Sequence, residues 1–497
     1  LEENLLKIKM SHALIFSIHN AVPHRPMGPH RIATYLRQEG WDVEVVDFAL
    51  KWTLDQLKEL AKSRINSQTK FLGFSCWFGH WGDLVTEFCN WSKEKWPDIK
   101  LIYGSMAYPS SFDCKSIDYY VVGYGEKAVL DLVKSFTGNG NKIAFDPRWF
   151  GDKKLIVANE TYPAFPMSSL MVKYEDRDYI ESWEWLTTEL ARGCKFNCSF
   201  CTFPILGVKE DHSRSDSDFD YQMRDAYERF GVTNYYVADE TINQDKEMLR
   251  RYADVSDKFN FNLRMHGFIR ADLLVNQEDT WDLLLKLGVK GHHYGVETFN
   301  KKSGSTIGKG MNPDKLKEGL IKVKNYFSER DIYRGQISLI CGLPYETKET
   351  WEDGVQWIHK NWAGQHMNFN VLEIPIDPKD SKLSIISKNY KKYGYRPAHK
   401  NVKVDLSNYY SNKFSQSLLD WENDIWTMTE AYNTCHENYE RMKSVNMMGP
   451  WHWGVVNLKA KGNLKVLASY QKNEGCGDEI DYFITRYINK KLDWKQM

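Results

Sequence analysis

Residues 191–201 read ARGCKFNCSFC, and the reading of this run decides the fold. Cys194, Cys198 and Cys201 stand in the spacing Cys-x3-Cys-x2-Cys, with an aromatic residue, Phe200, just ahead of the last cysteine. Three thiolates can hold three corners of a cubane iron-sulfur cluster and leave the fourth iron without a protein ligand, open to a small molecule. Structural zinc wants four ligands, usually as two separated pairs. No second pair follows at that spacing, and the nearest further ligand type, His212, sits alone.

Outward from the cysteines the chain repeats strand then helix. WLTTELARG at 185–193 feeds the cysteine loop, and NYYVADET at 234–241 follows with Asp239 and Glu240 at its tip. NLRMHGFIRADLL at 262–274 ends its strand near Arg270, and GHHYGVET at 291–298 carries Glu297. IYRGQISLICGLPYET at 332–347 ends at Cys341 and Gly342, a helix opens at Lys348, and MNFNVLEIP at 367–375 supplies a sixth strand. Six such units predict a partial parallel barrel over 181–375, with its active site at the carboxyl ends of the strands.

Ahead of it, apolar runs alternate with amphipathic stretches. ALIFSI at 13–18, VEVVDF at 43–48, FLGFSCW at 71–77, KLIYGS at 100–105 and DYYVVGYGE at 118–126 read as strands, with helix-like segments between them. This pattern predicts a doubly wound parallel sheet over 10–145, with ligands at the strand ends. Residues 146–180 read as a linker. The region 376–497 loses the alternation, is rich in Tyr, Trp, Asn and Lys, and predicts one long helix between Ser415 and Met442 with Trp421, Trp426 and Tyr432 in its packing. MMGPWHWG at 447–454 reads as a turn, and His452 and Cys476 are lone catalytic candidates there.

The cysteine spacing and Phe200 resemble the signature of the radical S-adenosylmethionine superfamily. The resemblance implies a 4Fe-4S cluster on Cys194, Cys198 and Cys201, whose open iron is chelated by the amino and carboxylate groups of S-adenosylmethionine. Reductive cleavage then gives methionine and a 5'-deoxyadenosyl radical, the cofactors performing the difficult chemistry. It further implies that the second strand tip, Asp239 and Glu240, lies near the methionyl amino group, with Arg270 toward its carboxylate. Glu297 then lies toward ribose or carboxylate, and the GLPYET run with Cys341 and Gly342 beside adenine. An arginine fork suits a carboxylate, and a glycine lets backbone approach a flat base. Cys341 alone reads equally as a small buried residue.

The segments MGPHRIATYLRQEGWDVEVVDF, FLGFSCW, LIYGS and VVGYGEKAVLDLV resemble the cobalamin-binding domain that precedes the barrel in one subgroup of that superfamily. This implies a corrin and nucleotide tail surrounded by Ser75, Gly104, Gly123 and Glu126. Two departures stand out. The Asp-x-His-x-x-Gly motif that brings a histidine to cobalt is absent, so His19 and His24 read as solvated or hydrogen-bonded. Ser105 stands where a second glycine is common, and its side chain could crowd the nucleotide tail. The fold class is thus α/β: a Rossmann-like cobalamin-binding-type domain, a partial (β/α)6 barrel and a mostly helical C-terminal extension that caps the barrel by analogy.

Lys plus Arg and Asp plus Glu number 66 each, so net charge lends no support to a nucleic-acid partner. No apolar run reaches bilayer length, and LEENLLKIKMSHALIF does not read as a signal peptide, which predicts a cytoplasmic protein without a membrane partner. Nine cysteines with three tightly grouped fit a reducing compartment. The leading reading is a cobalamin-dependent methyltransferase acting at an unactivated carbon or at phosphorus on a small-molecule or peptide substrate, with flavodoxin or ferredoxin as electron donor. Rearrangement or cyclisation is the first alternative. A methylthiotransferase would need a second cluster on Cys76, Cys89 and Cys114, and a silent cluster scaffold would have no need of the polar strand tips.

Overall fold

The structure is a computed structural model and describes residues 12–19, 24–76, 82–105, 114–138, 154–158, 171–201, 212–376, 384–398, 418–445 and 478–493, with 143, 145 and 167. The chain divides into two units, one of residues 1–181 with 410–414 and 478–497, the other of 182–409 with 415–477.

In the first unit, strands β1 (Ala13–Ile18), β2 (Val43–Val46), β3 (Phe71–Cys76), β4 (Lys100–Ser105), β5 (Tyr119–Val122) and β6 (Lys154–Val157) form one parallel sheet. Their order is β2-β1-β3-β4-β5-β6. The strands are nearly continuous apolar runs because both faces are covered, as parallel sheets require. Helices α1 (Met27–Gln38) and α4 (Glu126–Ser135) share a core with Ala13, Ile15, Val45 and Val121. Across the sheet, Phe16 stacks on Phe74 at 5.5 Å and meets Phe88 of α3 (Asp83–Lys95) edge-on. The order reverses direction at β1 and β3, and the crevice at such a switch point is where ligands bind in doubly wound sheets.

The sequence boundaries need two corrections. Lys154–Val157 is not linker: Val121 pairs with Ile156 and Val122 with Val157, adding a sixth strand. The C-terminal helix Asp478–Leu492 belongs to this first unit and not to a cap on the barrel. The physical reason lies in β2, whose VEVV run buries Glu44. Lys491 Nζ, fully buried, donates to Glu44 Oε1 at 3.1 Å and to the Val45 carbonyl at 2.7 Å. Arg64 donates to Glu44 Oε2 at 3.0 Å and to the Lys491 carbonyl at 2.6 Å. Three residues on, Asp47 takes Arg25 at 2.6 Å and His30 at 3.1 Å, and its N–H donates to the Tyr487 hydroxyl at 2.9 Å.

Burial alone would raise both carboxyls, but Lys491 and Arg64 hold Glu44, and His30 and Arg25 hold Asp47, below the ordinary carboxylate range. Their contribution to stability is full above the unfolded-state pKa of about 4 and is lost as the pH falls below it toward the folded-state values. Removing one partner of a buried ion pair leaves the other charge uncompensated. Lys491→Ala is therefore expected to cost the first unit about 3 kcal/mol, measured as a lower urea midpoint.

In the second unit six parallel strands lie in chain order: β7 (Trp185–Thr188), β8 (Asn234–Val237), β9 (Arg264–Ile269), β10 (Val289–Glu297), β11 (Arg334–Cys341) and β12 (His366–Val371). Helices α5 (Asp216–Phe230), α6 (Lys246–Ser256), α7 (Ala271–Asn276), α8 (Trp281–Leu287), α9 (Lys301–Ile307), α10 (Pro313–Arg330) and α11 (Lys348–Asn361) connect them. This is the partial barrel expected from the sequence. Side-chain caps open most of the longer crossover helices, from Ser215, Asp245, Asn312 and Thr347, which fixes where each strand-end loop stops.

The helix expected from Ser415 starts later, as α12 (Met428–Lys443). Thr427 and Glu430 form a capping box, and Asn423 Oδ1 accepts the N–H groups of Ile425 and Trp426, turning the chain just before it. Trp421 and Trp426 therefore precede the helix. Residues 401–417 and 446–477, with MMGPWHWG, His452 and Cys476, lie outside the described residues. Along the barrel's edge, Tyr439 of α12 takes the Phe369 N–H at 2.9 Å and donates to Asn368 Oδ1 at 2.8 Å, covering the unpaired side of β12.

Candidate active site

The cysteine loop begins where β7 runs into Ala191–Arg192, and Gly193, at φ 92°, turns the chain toward Cys194. Other strand ends hold this loop. Asp239, just past β8, accepts the N–H groups of Leu190 at 2.8 Å and Ala191 at 2.9 Å. Its carboxylate thus orders the loop backbone. Burial and the neighbouring Glu189 push this carboxyl well above the ordinary range despite the two amides. Gln244 accepts the Lys195 N–H at 3.1 Å and donates to the Gly193 carbonyl at 3.3 Å. The Thr241 hydroxyl stands 3.8 Å from Cys194 Sγ.

From the far side comes the turn after α9. The Ser199 N–H donates to the Ile307 carbonyl at 3.2 Å, and a Cβ on Gly308 would stand 3.6 Å from Cys198 Cα. Gly308, at φ 86°, makes the turn that a side chain would strain.

Arg270, at the end of β9, ties these pieces together. Its backbone exchanges two hydrogen bonds with the Asn243 amide, at 2.8 and 3.0 Å. Its guanidinium pairs with Asp272 at 2.8 Å, donates to the Gly308 carbonyl at 2.8 Å, lies 3.8 Å over the Phe196 ring and points Nη1 at Cys198 Sγ, 3.5 Å away. The guanidinium thus sits beside Cys198 on the cysteine loop, a contact the sequence did not show.

Cys194, Cys198 and Cys201 are part-exposed thiols outside any disulfide. Among the described residues no three Cys, His, Asp or Glu side chains converge on one point as a single ion demands. Three thiols on one loop, facing a fixed guanidinium and a hydroxyl with no carboxylate among them, fit an all-sulfur donor set with ligands at separate corners.

The other expected residues divide. Phe200 and Glu240 are half-buried on the loop and at the β8 tip. Glu297 takes the left-handed conformation at φ 68° and pairs with Lys309 at 2.9 Å, so its charge is already met within the chain. Cys341 is fully buried, and burial with Cys435 beside it pushes its thiol far up. Gly342 does adopt φ 86°, yet the flat ring it admits is the chain's own: a Cβ there would stand 2.3 Å from the Trp421 indole, and Tyr395 donates to the Gly342 carbonyl at 2.7 Å.

In the first unit Ser75 lies at the end of β3, and Gly104 on β4 has nothing within 4 Å of where a Cβ would stand. Gly123, at φ 97°, donates its N–H to the Ser105 carbonyl at 2.9 Å. Ser105 itself is buried. Glu126 is buried and pairs α4 with Arg31 of α1 at 3.7 Å. His19 and His24 are fully buried, not solvated, and burial together with His19 pushes His24 down to about 3. Cys89 and Cys114 lie side by side in the core, with Cys76 beside Tyr103. Thr241, Asn243, Gln244 and Lys309 were missed in the sequence. The run ADETINQD, polar residues packed behind a strand end, was the only signal for the first three.

Residues 188–358 match the radical SAM superfamily. Anaerobic magnesium-protoporphyrin IX monomethyl ester cyclase from a Synechocystis species is 22% identical over 250 residues, 48% of this chain and 50% of that protein. The chain thus spans about half the length of this curated relative. Among solved structures, the radical S-adenosylmethionine methyltransferase TsrM from Kitasatospora setae, with cobalamin and a 4Fe-4S cluster bound, superposes with a TM-score of 0.67 at 15% identity, covering 96% of this chain and 100% of that one. The cobalamin-dependent radical enzyme OxsB, with aqua-cobalamin and S-adenosylmethionine bound, gives 0.61 at 15% identity over 98% of this chain and 80% of that one. At such identities these likenesses concern the fold: a doubly wound unit, a partial barrel and helices after it.

Proposed function

With the radical SAM domain over residues 188–358 as premise, we propose that this protein is a cobalamin-dependent radical enzyme that transfers a methyl group to an unactivated carbon or to phosphorus. The observation that carries the reading is the cysteine loop: three part-exposed thiols at the carboxyl end of a partial barrel, fixed from the ends of β8 and β9 and from the turn after α9, with Cys198 faced by Arg270. Cys194, Cys198 and Cys201 would hold the 4Fe-4S cluster. When bound, that cluster with S-adenosylmethionine supplies a 5'-deoxyadenosyl radical, and cobalamin supplies the methyl group.

The chain's own residues position and shield. Asp239 and Gln244 set the loop backbone, and Arg270 offsets the negative charge that three thiolates and a reduced cluster accumulate. Glu240, half-buried at the β8 tip, would meet an ammonium or ribose hydroxyls. Phe200 carries an aromatic face on the same loop. In the first unit, Ser75 stands near the carboxyl end of β3 at the switch point, Gly104 and Gly123 stand near the ends of the next two strands, and the open space at Gly104 among the described residues suits close approach of a large planar group. A small flavin or iron-sulfur protein would supply the electron. No helix among the described residues is long and apolar enough to cross a membrane.

The name of the cyclase relative favours a second reading, ring closure without net methyl transfer. Product analysis separates the two. Methyl transfer is expected to release S-adenosylhomocysteine and 5'-deoxyadenosine together, in about equal amounts, by quantitative mass spectrometry. Ring closure gives 5'-deoxyadenosine without S-adenosylhomocysteine, and that result would replace the first reading by the second.

A further inference from the structure

Ser199 stands between Cys198 and Cys201, and two separate elements clasp it. From one side its N–H donates to the Ile307 carbonyl at 3.2 Å and its hydroxyl to the Thr306 carbonyl at 3.3 Å, both at the end of α9. From the other its carbonyl accepts the Ile386 N–H at 2.9 Å, from the short helix Ile385–Lys388. The two segments share a composition. Residues 299–312, FNKKSGSTIGKGMN, and 384–398, SIISKNYKKYGYRPA, contain Lys or Arg but no Asp or Glu. In a chain whose basic and acidic residues balance at 66 each, two wholly basic stretches meet at one loop.

Lys301 and Lys302 open α9, while Lys388 closes the short helix and Lys391 and Lys392 lie in the turn after it. All are exposed, and none forms an ion pair among the described residues. At 1.5 Å per residue, Lys302 lies about 8 Å along the helix axis from Ile307. Lys302 and Lys391 lie over the Tyr345 and Tyr390 rings, at 4.0 and 6.0 Å, contacts that leave their charge in place. The carboxylates bonded into this region, Asp272 and Glu297, already meet Arg270 and Lys309. Elsewhere on this unit exposed cations commonly face a carboxylate, as Lys195 faces Asp245, Lys286 faces Asp257 and Lys348 faces Glu430. The surface also comes close to the cysteines here: Gly308 is exposed, and a Cβ on it would stand 3.6 Å from Cys198 Cα. Uncompensated charge of one sign steers a partner of the other sign and is weakened by salt.

We propose that this lysine face docks an acidic one-electron carrier, a small flavin or iron-sulfur protein, which reduces the cluster from the Gly308 side. The proposal rests on Cys194, Cys198 and Cys201 holding the cluster, and adds the surface at which it is reduced. One electron passes: the carrier is oxidised by one, the cluster is reduced by one, and no bond forms or breaks at the step. Such encounters are small and transient, with charge setting the approach. A nucleic acid would also meet lysines, but it would not account for their placement on the elements that hold a reducible loop.

The test uses the full chain reconstituted with iron and sulfide. An acidic flavodoxin and an acidic ferredoxin are immobilised in turn and binding is read by surface plasmon resonance; cluster reduction by each reduced carrier is followed by stopped-flow absorbance. At least one carrier is expected to bind and to reduce the cluster, about tenfold faster at about 0.05 M than at about 0.5 M salt. Lys301→Glu with Lys302→Glu, and separately Lys388→Glu with Lys391→Glu, are each expected to weaken binding and slow that reduction about tenfold, while dithionite still reduces the cluster fully. Lys258→Glu with Lys360→Glu makes the same charge change at exposed lysines at or just past the far ends of α6 and α11, and is expected to alter neither by more than about twofold. Reduction of the wild-type cluster by neither carrier, equal loss from the control pair, no loss from the lysine-face variants, or equal loss with dithionite would overturn the proposal. So would binding of a short RNA oligonucleotide that the lysine-face variants abolish while carrier-driven reduction stays unchanged. Absence of 5'-deoxyadenosine from dithionite-reduced wild-type protein with S-adenosylmethionine would instead overturn the radical reading, so the two fail separately.

Discussion

Cys198→Ala protein is expected to fold, to retain only background iron after anaerobic reconstitution, and to form no measurable 5'-deoxyadenosine. Cys198 is the cysteine at the centre of the loop's supports: its Sγ faces Arg270 at 3.5 Å, its carbonyl accepts the Cys201 N–H at 3.0 Å, and its Cα backs onto Gly308. Changes to groups that merely orient a ligand cost about 10–100-fold, so loss of a ligand itself should exceed roughly 100-fold. The side chain is small and part-exposed, so alanine leaves little cavity and the barrel should keep its thermal midpoint. Iron content, circular dichroism and mass spectrometry of the product together check this. Normal deoxyadenosine yield from Cys198→Ala would mean that the three thiols are not the cluster ligands.

Arg270 gives the second large effect, for a reason the sequence did not contain. Arg270→Gln removes a cation stacked on Phe196, unpairs Asp272 and leaves the Gly308 carbonyl without its donor. Iron occupancy should fall in part and deoxyadenosine formation by about 10–100-fold. Arg270→Lys should rescue poorly, because an ammonium cannot reach Asp272, Gly308 and the Phe196 face at once as the planar fork does. A hydrogen bond to a cluster sulfur also raises its potential, so the reduced fraction at a fixed ambient potential should drop in the variant, as read by electron paramagnetic resonance. If Arg270 instead only met a cofactor carboxylate, iron and the reduced fraction would stay at wild-type levels while S-adenosylmethionine binding weakened.

The elements themselves were legible because their signals are local. Runs such as ALIFSI and NYYV bounded by polar turns read as buried parallel strands, and Cys-x3-Cys-x2-Cys sets a donor set within eight residues. What was not legible is which face a strand residue takes and what lies across space. Cys341 and Ile340 are neighbours, but the register turns Cys341 outward to meet Cys435. Gly342 was read as a position where backbone approaches a flat ring; its positive φ and the ring against it, Trp421 from outside the repeating pattern, were not legible. Asp239 is at the strand tip as expected but is bound by amides of the loop it helps to shape. Lys491 and Glu44 are separated by 447 positions, and an apolar strand interrupted by Glu gave the only hint that a buried cation was required.

The most direct test is iron and cobalt per chain, on protein purified without oxygen from cells supplied with cobalamin and reconstituted with iron and sulfide. The account predicts about four irons and one cobalt per chain, with 5'-deoxyadenosine formed on adding reductant and S-adenosylmethionine. Iron below about one per chain, or no cobalt with the first unit folded, would contradict it.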